Sequence, residues 1–152
     1  MALRQILWVL LLMLGLGSLA ARADDLAIGY VKTVSGEATV STGKLRLAAQ
    51  PGTPLYVGSQ LKTGPHSSLG VSFKDDTVMS FGPDTELTVD DYLYAPSQGK
   101  LRLAATLLQG SLNYLSGVIA KLKPDAVSVT TPSGTIGVRG TQFALKVEPS
   151  AP

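Results

Sequence analysis

The chain has 152 residues, 13 of them basic and 11 acidic, with a formal charge of +2, one histidine and no cysteine. That length holds one domain, the missing cysteines exclude a disulfide framework, and the near-neutral balance removes the electrostatic case for nucleic acid or an anionic membrane as partner. A single histidine also excludes the histidine-rich ligand shell of a typical zinc enzyme and any Cys/His dyad.

The N-terminus reads as a secretory signal peptide. Arg4 supplies the positive start, Ile6 to Leu14 is an unbroken apolar run, and Ala21-Arg22-Ala23 fits the small-residue cleavage pattern. The apolar stretch is shorter than the roughly 20 residues a spanning helix needs. Cleavage near Ala23 predicts a periplasmic or secreted mature protein with no membrane span. Removing Arg4 and Arg22 brings its charge to about zero. Trp8 leaves with the signal, as do Gly15 and Gly17.

From Ala27 onward the apolar residues alternate, as a half-buried sheet requires and an amphipathic helix does not. Leu69, Val71 and Phe73 fall on one face and Gly70, Ser72 and Lys74 on the other. The same pattern marks Met79 and Phe81, Leu87 and Val89, Leu101 and Leu103, Leu112 and Tyr114, Val127 and Val129, and finally Phe143, Leu145 and Val147. Turn residues between these runs, such as Thr63-Gly64-Pro65, Gly82-Pro83-Asp84 and Lys123-Pro124-Asp125, recur at the roughly 8–12-residue spacing of a sandwich, barrel or roll. The expected fold is all-β: a single twisted two-layer sandwich or roll of many short strands over residues 24–147, with a frayed tail over 148–152.

Three stretches depart from the simple pattern. At Asp90-Asp91 the apolar phase passes from odd positions (Leu87, Val89) to even ones (Tyr92, Tyr94), which predicts a β-bulge or a strand end. Leu101 to Leu108 reads as strand despite Ala104-Ala105, and Leu115 to Leu122 reads as strand or loop, although a helical turn ahead of Pro124 also fits.

Among polar groups, His66 follows Pro65 in a serine-rich turn and reads as a solvated residue. The pairs Asp75-Asp76 and Asp90-Asp91 do not converge as calcium ligands or glycosidase carboxylates, because neighbouring strand residues point to opposite faces. Asp75-Asp76 reads as a hairpin tip whose side chains bond their own backbone. No catalytic, metal or cofactor site is expected. Tyr92, Tyr94 and Tyr114, near strand ends or phase changes, are the candidate partner-binding residues, with closure of the core as the alternative. The stretch Thr131 to Phe143 sets Arg139 among Gly134, Gly137 and Gly140. It predicts a sharply folded strand-turn-strand unit whose enclosed guanidinium holds neighbouring carbonyls or a carboxylate.

These residues carry a family likeness. In order they are Gly36-x-Ala38-x-Val40, Leu55-x-x-Gly58-x-x-Leu61-x-Thr63-Gly64, Val71-x-Phe73-x-Asp75-x-Thr77-x-Met79-x-Phe81-Gly82-Pro83, Leu108-x-Gly110-x-Leu112, and the closing block of Thr131, Pro132, Thr135, Gly137, Arg139, Gly140, Thr141 and Phe143. Over about Gly29 to Val147 the chain resembles the FecR domain, a periplasmic all-β module of envelope signalling, here as a stand-alone domain. Asp75-Asp76 stands where the family often has Asp-Gly, and Gln142 where an acidic residue is common, so Asp84, Asp90 or a carbonyl becomes the expected partner of Arg139. The likeness implies a non-catalytic protein that binds another envelope protein, such as an outer-membrane receptor or signalling component, in signal transduction or envelope regulation. The family's anti-sigma segment and membrane span have no counterpart in this reading. Strand addition at a free edge and docking of an exposed aromatic patch are the two expected modes. A glycan-binding or adhesin-like module using the tyrosines is the alternative function.

Overall fold

The computed structural model describes residues 26–150, and the expected signal segment lies outside them. The strands are β1 (Gly29–Ser35), β2 (Ala38–Thr42), β3 (Leu45–Ala48), β4 (Pro54–Leu55), β5 (Gln60–Thr63), β6 (Ser68–Phe73), β7 (Val78–Phe81) and β8 (Glu86–Ala95). They continue as β9 (Lys100–Leu115), β10 (Val127–Thr131), β11 (Gly134–Gly137) and β12 (Gln142–Val147), with a short α-helix, α1 (Val118–Leu122), and 3-10 turns at Pro96–Gln98 and Pro124–Ala126. The fold is all-β, as the alternation predicts. Leu69, Val71, Phe73, Met79, Phe81, Leu87, Val89, Leu103, Leu112, Tyr114, Val127 and Val129 all lie in one core.

The strands join in one curled sheet ordered β3-β2-β5-β8-β9-β7-β6-β1-β4, with β10 and β12 attached to β9 and β11 attached to β10. β9 is the spine. Its first half pairs with β8 on one side and β10 on the other; its second half pairs with β7 and β12. The pairings are antiparallel except for β9 with β10. One layer therefore holds β3, β2, β5, β8, the first half of β9, β10 and β11, and the other holds the second half of β9 with the remaining strands.

β9 passes between layers at Gly110, whose φ of 94° lies in the left-handed region and where a Cβ would run into Thr85. Buried threonines pin this corner. Thr63 Oγ1 donates to the Gly82 carbonyl at 2.6 Å and accepts from the Thr85 amide at 2.9 Å, while Thr85 Oγ1 accepts from the Ser111 amide at 3.0 Å. The predicted irregularity at Asp90-Asp91 is a β-bulge: Val89 faces Ala105 and Asp91 faces Ala104. Tyr92 thereby returns to the core side.

Leu115 to Leu122 departs from the strand-or-loop expectation, since Val118–Leu122 is helical. The cause is remote in sequence. Gly117, at the N-cap, has no side chain to satisfy the first helical amides, and Asp75 does so instead: its carbonyl accepts from the Val118 amide at 2.7 Å and Oδ2 accepts from the Ile119 amide at 3.1 Å. A Cβ at Gly117 would collide with Asp75 and Thr77 backbone, so only glycine permits this approach.

Asp75 is fully buried. The hairpin tip bonds its own backbone as expected, with the Thr77 amide 3.4 Å from Oδ1, but the carboxylate reaches much further. It accepts from Thr77 Oγ1 at 2.7 Å and from the Tyr92 hydroxyl at 3.0 Å, and the Asp75 amide donates back to that hydroxyl. One carboxylate thus ties the β6–β7 hairpin, β8 and α1 together. Asp75→Ala strands several buried donors and should lower unfolding free energy by about 3 kcal/mol or more, against roughly 1 kcal/mol for Tyr92→Phe, both measured by urea titration.

Candidate functional site

The three tyrosines do not form a docking surface. Tyr92 and Tyr114 are 7% and 0% exposed, and only Tyr94 is part-exposed, packed beside the core. The rings stack inward, Tyr92 on Phe73 with centroids 5.5 Å apart and Tyr114 on Phe143 at 4.9 Å. The even-odd slip at the bulge turned Tyr92 inward, and Tyr114 follows the core phase of Leu112. Burial, then the nearby Asp75 charge, raises the Tyr92 pKa well above the usual phenol range. Burial likewise raises that of Tyr114; the Thr77 and Ser116 hydroxyls stand near enough to ease ionisation, without hydrogen-bond geometry.

The Thr131 to Phe143 block folds as strand, turn and strand, but its arginine is not enclosed. β10 and β11 form a hairpin in which Thr131 faces Gly134 and Thr130 faces Thr135, with the threonine hydroxyls of the latter pair 3.1 Å apart. Thr131 Oγ1 donates to the Gly134 carbonyl at 3.0 Å across the Pro132-Ser133 tip. Residues 138–141 then cross to the other layer. Val138 is the buried anchor at 3% exposure, and Ser116 holds the crossing by bonds to the carbonyls of Gly140 and Thr141, both at 2.8 Å. Arg139 points out into solvent, and among the described residues it makes no hydrogen bond or ion pair. The carboxylates proposed for it are elsewhere: Asp90 accepts from Thr106 at 2.6 Å and Asp84 sits exposed at its own turn. The alternation placed Val138 and Arg139 on opposite faces, and it is valine that takes the interior.

What the block builds is an open seam. Among the described residues β11 pairs only with β10, and β12 only with β9, so each layer ends there in a strand with one unbonded edge. Ile136 pairs with buried Val129, and Leu145 with buried Leu112, which puts both on the core side of their strands. Yet Ile136 is 38% exposed and Phe143, Leu145 and Val147 are only partly covered. An open groove of about 580 Å³ separates the edges, lined by Pro132, Ile136, Leu145, Lys146, Val147 and Glu148 among others. Lys146 and Glu148 pair at 2.8 Å on its rim. Sequence alternation marks these apolar residues as inward, but nothing in it tells that no strand covers them.

The remaining polar candidates stay apart. Asp75 is buried and Asp76 exposed, Asp90 bonds Thr106, and Asp91 pairs with Arg102 at 2.8 Å. His66 is exposed in its turn with a φ of 55°. Among the described residues no helix is long and apolar enough to cross a membrane.

A family model described as FecR protein matches residues 59–151. No curated protein and no solved structure matches the chain.

Two outcomes follow from the geometry. Arg139→Ala should shift stability by no more than about 0.5 kcal/mol, whereas Val138→Ala should cost about 2 kcal/mol, both read from denaturant unfolding. Raised phenol pKa values keep Tyr92 and Tyr114 neutral in the folded chain, so their contribution is full below the unfolded value of 10.0 and is lost as pH climbs above it. Stability should therefore fall above about pH 10, and Tyr92→Phe should flatten that fall in denaturation series at successive pH values.

Proposed function

The chain belongs to the FecR protein family, whose members are regulatory and tied to signal transduction at the cell envelope, and we propose that this one acts as a periplasmic docking module without a catalytic centre. Its partner is an envelope protein that supplies an extended segment to the seam between β11 and β12. The observation that carries this reading is the pair of open strand edges flanked by half-exposed core residues, Ile136, Leu145 and Val147. A strand laid along β11 takes up the unbonded amides and carbonyls, and its alternate side chains cover the apolar groove.

Of the two expected modes, strand addition is the one the geometry favours. The aromatic mode and the glycan-binding alternative both draw on tyrosines that are buried, Tyr92 and Tyr114. Arg139, exposed where the block crosses between layers, lies outside the groove lining and is available to a partner's carboxylate only beyond the end of β11.

Photo-crosslinking from position 135 in intact envelopes should give one dominant protein adduct, and Ile136→Asp should abolish it while leaving the melting temperature unchanged. Amide exchange should slow along β11 on addition of the captured protein. A smear of minor adducts, or an adduct indifferent to Ile136→Asp, would defeat the proposal.

A further inference from the structure

The layer that ends in β11 has a second open edge at its far end, of different chemistry. Among the described residues β3 pairs only with β2, and all four of its residues are exposed. Leu47 pairs with buried Val40, and Leu45 with Thr42, so both leucines occupy the core side of the sheet, yet they are 38% and 59% exposed. Arg46 pairs with Ser41 on the outer side, and Lys44 precedes the strand in the turn at Gly43. Neither Lys44 nor Arg46 has an ion-pair partner among the described residues, whereas nearby Lys62 is engaged by Glu86 at 3.4 Å.

We propose that β3 is a docking edge for an extended partner segment in which acidic residues alternate with apolar ones. The unbonded strand edge supplies backbone pairing, Leu45 and Leu47 ask for apolar side chains on one face, and Lys44 and Arg46 select negative charge on the other. The same charges exclude a second copy of this chain. Pairing β3 with another β3 sets basic residues against each other, and pairing it with β11 brings Arg139 close. Because Arg46 lies on the outer side, it leaves the core-side leucines reachable and so discriminates by sign without blocking the edge. This edge is independent of the seam.

The probe is a labelled, end-blocked peptide of alternating Glu with Leu or Val, compared by fluorescence anisotropy with its Lys counterpart against the whole mature protein. The acidic peptide should bind at least about tenfold more tightly than the basic one. Lys44→Glu with Arg46→Glu should reverse that order at an unchanged melting temperature, and Leu45→Ser with Leu47→Ser should weaken binding of the acidic peptide. Ile136→Asp, at the seam, should leave it unaltered. Equal or absent binding of the two peptides would overturn the assignment, as would a preference that survives charge reversal or is lost with Ile136→Asp. Binding to phosphatidylglycerol vesicles without binding to the acidic peptide would overturn it in favour of a lipid surface.

Discussion

The buried carboxylate of Asp75 is the constraint from which the rest of the arrangement follows. A carboxylate taken out of water is costly unless its oxygens are fully engaged. Here the engaging groups come from three parts of the chain: Thr77 in its own turn, Tyr92 on β8 and Ile119 at the start of α1. The hairpin tip lies in one layer and Tyr92 in the other, so satisfying one charge joins the layers. It also fixes where α1 begins. That matters because α1 opens the crossover from β9 to the parallel strand β10, which carries β11 to its edge.

Much of this was legible in the sequence, and the reason is periodicity. Strict alternation put Leu69, Val71 and Phe73 inside, and a one-residue slip announced the bulge at Asp90. What escaped reading depends on contacts between segments far apart in the chain. Leu115 to Leu122 fits strand, loop or a helical turn locally, and what decides for the helix is a cap from Asp75, 44 residues from the amide at Ile119 that it satisfies. The tyrosines stayed open between surface and core for a related reason: a phenol is equally at home inside or out, and for Tyr92 the bulge turns the ring inward and Asp75 gives its hydroxyl a partner there. Arg139 was read as enclosed because it stands among glycines. Small neighbours also leave an arginine uncovered, and that is the case here.

The candidate site was half legible. Family-like residues singled out Thr131 to Phe143, the segment that borders the proposed seam, but their role differs from the one a local reading suggests. Thr130, Thr131 and Thr135 bond one another or nearby backbone to keep the β10–β11 hairpin shaped, and Val138 and Phe143 fasten to the core the crossing that follows it. The product of that fastening is a strand held at the rim of a sheet with its outer edge open. A site of this kind is made of backbone, and backbone leaves little signature in side-chain chemistry.

The length of β9 bears on the docking proposed at the seam. It runs from one layer into the other, with Gly110 in the left-handed region at the passage. Both lips of the groove are carried on it, β11 through β10 on the first half and β12 directly on the second. A segment bridging those lips, as proposed, would therefore load a single strand on both sides of Gly110, so that the tightly packed corner with Thr85 would carry the strain of occupancy.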